Sequence, residues 1–221
     1  MFHVEHKSNF LSILKSSAAS LDIQLDNDQA TLFEQYLEHL KSWNCTTNLT
    51  SINSDSEITI KHFIDSIAAL NAEHFPNGCL VFDVGTGAGF PGIPLKIVRP
   101  DIRLKLIEPV KKKSSFLRYI VGTLHLEQVE IFDEPLEEFA SNLGGREKAD
   151  YVTARGIKFE FILELSETLL KQTGKTLLFL SNQIDVKKIP SYLSVDHELS
   201  FNLPLGYGKR VISVIHSGNS A

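Results

Sequence analysis

Cysteine is almost missing from the chain: Cys45, beside a turn, and Cys79, in an apolar run, are the only two. No disulfide framework is expected from so few, and a reducing compartment suits them. Long apolar runs are missing as well, none approaching the roughly twenty residues that cross a membrane as a helix. The opening Met1-Phe-His-Val-Glu-His6 has neither the basic n-region nor the long apolar h-region of a secretory signal. These absences predict a cytoplasmic protein with no membrane partner. The histidines show no metal-ligand spacing, and neither a Gly-x-Ser-x-Gly elbow nor a Cys–His pairing is found, so no metal is expected. Positive charge is in deficit, 22 Lys and Arg against 27 Asp and Glu for a net −5. That argues against a wholesale basic nucleic-acid binder and leaves room for a local patch.

What is present suits one α/β core. The length of 221 residues fits a single doubly wound core, or one carrying a small extension. Texture changes near Pro76-Asn77-Gly78, so residues 1–75 are read as an N-terminal helical extension and 76–221 as a cofactor-binding domain. Before the break, Leu32, Phe33, Tyr36, Leu37, Leu40 and Trp43 recur at helical steps after a cap in Asp26-Asn27-Asp28. A second helix should start at the capping pattern Ser54-Asp-Ser-Glu57 and bury Ile60, Phe63, Ile64, Ile67 and Leu70. A shorter one holds Phe10, Leu11, Ile13 and Leu14. After the break, apolar runs at 79–84, 103–108, 128–132, 149–154, 175–181 and 209–216 alternate with helix-like stretches at 111–124 and 158–171. Residues 195–202 and 209–216 are joined only by Leu-Pro-Leu-Gly-Tyr-Gly, too short for a helical crossover, so they should pair antiparallel. A parallel sheet closed by an antiparallel hairpin is the topology of seven-stranded, Rossmann-like S-adenosylmethionine (SAM) methyltransferases of class I.

The densest chemistry lies in Asp83-Val-Gly-Thr-Gly-Ala-Gly-Phe-Pro-Gly92, where an apolar strand becomes a glycine loop and then a helix with Pro91 or Pro94 in its first turn. Gly85, Gly87 and Gly89 allow positive φ and close approach of a ligand. Gly87-Ala-Gly89-Phe-Pro-Gly92 fits the dinucleotide pattern literally, so a nicotinamide or flavin stays open. Asp83 favours SAM instead, because a carboxylate repels a pyrophosphate and attracts the ammonium of a methionine moiety. Ligands of open α/β sheets lie beyond the carboxyl ends of the strands. Glu108, about twenty residues past the loop at the end of the second strand, suits ribose hydroxyls in either cofactor. Leu136 and Glu137 could frame an adenine face and edge. Arg155, where the fourth strand ends, is the candidate catalytic residue. A guanidinium there suits phosphate or the O6/N7 edge of guanine, and N7, with its own lone pair, needs no general base. In a purely structural alternative, Arg155 pairs with Glu137 or Asp133.

Several elements together resemble one family. Trp43-Asn44 with Asn48-Leu-Thr50, Lys61-His-Phe-Ile-Asp-Ser66, the glycine loop extended through Ile93-Pro-Leu95, Phe116-Leu-Arg118 and Arg155 are similar to bacterial ribosomal RNA small subunit methyltransferase G, also called glucose-inhibited division protein B. The resemblance covers nearly the whole chain. It implies SAM-dependent methylation of N7 of one guanine, position 527, in 16S ribosomal RNA, with SAM contacts from Gly85, Phe90, Leu136, Glu137 and Arg155 and with Glu108 on the ribose. The chain departs from the family pattern at Thr47, Glu108, Lys112-Lys113, Ala154 and Leu180-Ser-Asn182. Loss of a lysine near Ser181 would weaken the hold on RNA phosphate, so a SAM- or RNA-binding module with reduced turnover, or another acceptor, stays open. The residues expected to grip 16S RNA, or the 30S subunit, are Lys61, Lys111, Lys112, Lys113, Arg118, Lys209 and Arg210, with His62 as a partner.

Overall fold

Helix α1 spans Phe2–Ala19 and α2 Asn27–Thr47, the latter opened by a full capping box in which Asp26 and Gln29 satisfy each other's backbone N–H. The computed structural model describes residues 2–217, with side chains from residue 9 onward. Ser54 caps α3 (Asp55–Ile58), which runs into a π-helical stretch, Thr59–Ile64, and then α4 (Asp65–Ile67) and α5 (Ala69–Ala72). Ile60, Phe63, Ile64 and Ile67 are buried there, as their spacing predicts, whereas Leu70 is only half-buried.

Seven strands follow: β1 (Leu80–Val84), β2 (Arg103–Ile107), β3 (Val129–Phe132), β4 (Ala149–Arg155), β5 (Leu170–Leu180), β6 (Leu193–Asn202) and β7 (Lys209–Ser217). Between them lie α6 (Gly92–Val98), α7 (Lys111–Thr123), α8 (Leu136–Asn142), α9 (Phe159–Glu164) and α10 (Ser166–Leu169). The sheet order is β3-β2-β1-β4-β5-β7-β6, parallel except for β7, which pairs antiparallel with both neighbours. The expected terminal hairpin is therefore present.

One boundary differs from the periodicity. The helix expected over 158–171 stops at Leu169, and β5 begins at Leu170 with a bulge between Ala149 and Tyr151 on β4. Gly174 makes this possible, since a Cβ there would lie 3.0 Å from the Ala149 carbonyl and 2.9 Å from Leu170 Cδ2.

The sheet is covered on both faces. Phe33, Tyr36, Leu40, Phe63 and Ile67 of the N-terminal helices share one core with Val81, Leu104, Ile93, Phe116 and Ile212. On the other face Phe82, Val84, Phe139, Val152 and Leu163 form a second core under α8 to α10. Among the described residues no helix is long and apolar enough to cross a membrane. Strand order reverses between β1 and β4, so ligand space is expected where their carboxyl ends diverge.

Candidate cofactor cleft and acceptor site

The β1 strand is buried throughout and ends in Asp83-Val84. Asp83 is fully buried. Its Oδ2 accepts from the Gly92 N–H at 2.8 Å and from the Thr86 hydroxyl, and its Oδ1 accepts from the Thr153 hydroxyl at 2.9 Å. Burial pushes its pKa up to about 6 against these donors. The expectation that this acid faces an ammonium is thus corrected: its carboxylate turns inward and braces the loop onto α6 and β4. The same contact explains a glycine, because a Cβ at Gly92 would lie 2.7 Å from Asp83 Oδ2. Pro94 sits in the first turn of α6 and Pro91 just before it.

Glu108 is also buried and works on the same loop. Its Oε2 accepts from the Gly87 N–H at 2.9 Å and its Oε1 from the Val110 N–H at 3.0 Å. It ties the loop to the end of β2, and each oxygen keeps a second lone pair for another donor. Beside it opens a cleft of about 360 Å³ whose walls include Val84, Gly85, Ile107, Leu136, Glu137 and Ile157. It lies where the carboxyl ends of β1 and β2 meet α8 and the segment after β4. Gly85 has φ +62°, and a Cβ there would come within 3.0 Å of Ile157 Cδ1. Largely apolar walls that also carry two exposed charged side chains, Glu137 and Lys158, fit an adenosine group, with flat faces and a polar edge.

Of the residues expected to hold the cofactor, Gly85, Leu136 and Glu137 line this cleft. Asp83, Gly87, Gly89, Phe90, Glu108 and Arg155 are not part of its lining. Gly89 serves packing instead, since a Cβ there would lie 2.4 Å from Ile93 Cδ1 and 2.6 Å from the Tyr36 hydroxyl oxygen. Phe90 is buried between two rings, its centroid 4.5 Å from that of His62 and 5.4 Å from that of Tyr36.

Arg155 is tied to the N-terminal helices. Its Nη1 donates to the Lys61 carbonyl at 2.9 Å and to Asp65 Oδ2 at 3.1 Å, its Nη2 reaches His62 Nδ1 at 3.0 Å, and its Cζ stands 5.1 Å from the Phe90 centroid. The alternative pairing with Glu137 or Asp133 is corrected, because Asp133 pairs with Arg118 at 3.2 Å. A guanidinium only donates, so His62 Nδ1 must accept and its Nε2 carries the proton, donated to Thr50 Oγ1 at 2.9 Å. Burial and the charge of Arg155 lower the His62 pKa to about 3. His62, expected on the RNA side, is a neutral internal link. Asn44 fixes Thr50 in turn by bonding both its carbonyl and its N–H at 2.9 Å. Sequence reading missed Asp65 and this chain of contacts. The available signal was one acid in the apolar run Phe63-Ile64-Asp65-Ser66-Ile67, since a buried acid needs a partner.

The basic residues divide by what they touch. Lys61 bonds Glu57 at 2.6 Å and lies 5.1 Å from the Tyr207 centroid, while Arg210 Nε is 3.7 Å from Asp65 Oδ1. Lys111, Lys112 and Lys113, where β2 gives way to α7, and Lys209, at the start of β7, form no ion pair among the described residues. The register Leu180↔Val211 places Lys209 at the carboxyl end of β5, the cleft's edge of the sheet. There Ser181 is exposed, whereas Ala154 is buried in β4.

Comparison with known proteins follows the same outline. The ribosomal RNA small subunit methyltransferase G of Listeria monocytogenes is 35% identical over 205 residues, covering 89% of this chain and 86% of its own. That of Caldanaerobacter subterraneus is 36% identical over 180 residues, 81% of this chain and 75% of its own. Among solved structures, a putative O-methyltransferase from Klebsiella pneumoniae matches with a TM-score of 0.58 at 13% identity, over 82% of this chain and 90% of that one. Precorrin-6y C5,15-methyltransferase from Geobacter metallireducens matches with 0.53 at 15%, over 69% and 87%. At such identities these two show a shared fold, the Rossmann-like class I SAM methyltransferase sheet. Residues 29–199, from α2 into β6, match the family described as rRNA small subunit methyltransferase G, and the chain belongs to that family.

Proposed function

We propose that the chain transfers a methyl group from SAM to N7 of a single guanine, at position 527, in 16S ribosomal RNA, acting in the cytoplasm on the RNA or the 30S subunit. One observation carries the reading: the cleft at Gly85 and the arginine ending β4 lie at the same carboxyl edge of the sheet, beside lysines that form no ion pair among the described residues. When bound, SAM supplies an electrophilic methyl on a sulfonium. Leu136 and Glu137 would hold the adenine, the remaining lone pairs of Glu108 would meet the ribose, and Gly85 would let the backbone approach closely. N7 brings its own lone pair, so no base has to be poised, and alignment can supply roughly 7–11 kcal/mol of the barrier. Among the described residues, the Nε–H and one Nη2–H of Arg155 have no partner, which leaves them for the guanine edge or a phosphate. Lys111, Lys112, Lys113, Lys209 and Arg210 would hold the RNA backbone.

The test is transfer of labelled methyl from SAM to 16S RNA and to 30S particles, with mass mapping of 7-methylguanine in cells with and without the gene. Gly85→Asp and Arg155→Ala should each abolish incorporation. Undiminished label would show the site to be misplaced, and tight SAM binding without transfer would favour a binding module.

A further inference from the structure

Asp65 lies in an apolar helical run at 3% exposure. Among the described residues only its Oδ2 is hydrogen bonded, to Arg155 at 3.1 Å; its Oδ1 is buried without a hydrogen bond and forms an ion pair with Arg210 Nε, 3.7 Å away. A buried carboxylate left half satisfied is costly, and the guanidinium it holds, that of Arg155, is itself only 15% exposed. Phe63, Ile64 and Ile67 fill the apolar core around it. Such a group points to a role beyond packing.

The two arginines come from distant parts of the chain. Arg155 ends β4 opposite Phe179, and Arg210 precedes Val211, which pairs with Leu180, so both stand at the same end of β5 and on either side of it. Asp65 is the anion that faces both. We propose that Asp65 is a positioning residue for methyl transfer. Through Arg155 it aims the guanidinium at the acceptor, and through Arg210 it draws the terminal hairpin, with Lys209, to the RNA-facing edge. The inference rests on the reading of the chain as a ribosomal RNA methyltransferase.

Asp65→Asn in the full chain tests it, with kcat and KM for transfer to 30S particles, SAM affinity by calorimetry, and the ¹⁵N resonances of the Arg155 and Arg210 Nε–H groups. The expected result is a kcat lower by about ten- to a hundredfold with SAM affinity held, and both arginine resonances broadened or shifted together. Asp65→Glu keeps the charge but moves its oxygens by one methylene. It should lower kcat too, whereas a charge needed only for folding would be rescued, and it serves the same comparison if Asp65→Asn does not fold. Wild-type kcat in both variants, SAM affinity falling as far as kcat, or arginine resonances that do not move would each overturn the role of Asp65. Absence of transfer by the wild type would sink the enzymatic reading alone, and the resonances would still decide whether Asp65 positions the two arginines.

Discussion

His62 shows how far the surroundings of one residue can turn its chemistry. Beside a lysine in the sequence it suits an RNA contact, yet in the fold it stacks on Phe90, accepts from Arg155 and donates to Thr50. Its pKa drops from 6.5 to about 3. The unfolded chain therefore binds the proton more tightly, so stability supplied by neutral His62 is fully present above pH 6.5 and is lost as pH falls toward 3. Asp83 runs the other way, its raised pKa giving stability that is present below pH 3.8 and lost as pH rises through about 6. Asp83 and Asp65, both with raised pKa, offset the His62 loss over this range, so the test is a difference: in urea unfolding, His62→Gln should lose less, or gain more, stability than wild type between pH 7 and 4.5. Equal changes in the two proteins would remove His62 from the account. At this scale Gly85, Leu136 and Glu137 were legible because each sits at a fixed offset from a strand end. Asp65 was not, since its partners Arg155 and Arg210 lie far along the chain.

The glycine loop is an element in which two glycines do different work. At Gly89 a methyl group would meet Ile93 and Tyr36 in a backbone of φ +103°, whereas at Gly87, φ +64°, its nearest neighbour would be the Gly85 carbonyl oxygen at 4.0 Å, an ordinary contact. Gly89→Ala should cost about 2–4 kcal/mol, a fall of roughly 5–15 °C in Tm, and Gly87→Ala about 1 kcal/mol. Thermal melts of the two variants check this, and similar losses would mean that φ strain alone decides both. The turn after α2 is a second such element, since Asn44 holds Thr50 and Thr50 orients His62 against Arg155. Asn44→Ala should lose about 1–2 kcal/mol, and methyl transfer should fall more than stability accounts for. Activity that tracks the folded fraction would reduce Asn44 to a local brace. Strand and helix alternation was readable from period and length, but the early start of β5 was not, because Gly174 accommodates a bulge that only its neighbours on β4 require.

As a whole the molecule is acidic, at net −5, so attraction to RNA must come from where its cations stand. Lys111, Lys112, Lys113 and Lys209 are at the carboxyl edge and form no ion pair among the described residues, whereas Lys61 and Arg118 are neutralised by Glu57 and Asp133. Replacing Lys111, Lys112 and Lys113 together by Glu should raise KM for RNA and flatten the salt dependence of binding by roughly two to three in slope. SAM affinity should hold. An unchanged slope would place the RNA elsewhere. The sequence alone determined the class of sheet, its terminal hairpin, the glycine loop and the cleft residues beside it, because each of these follows from short-range period, spacing and turn chemistry. Only the tertiary structure decided the work of Asp83, Phe90, His62 and Asp65. Burial and the approach of Arg155 and Arg210 set their charge and contacts, and those fields come from residues some 50 to 150 positions away.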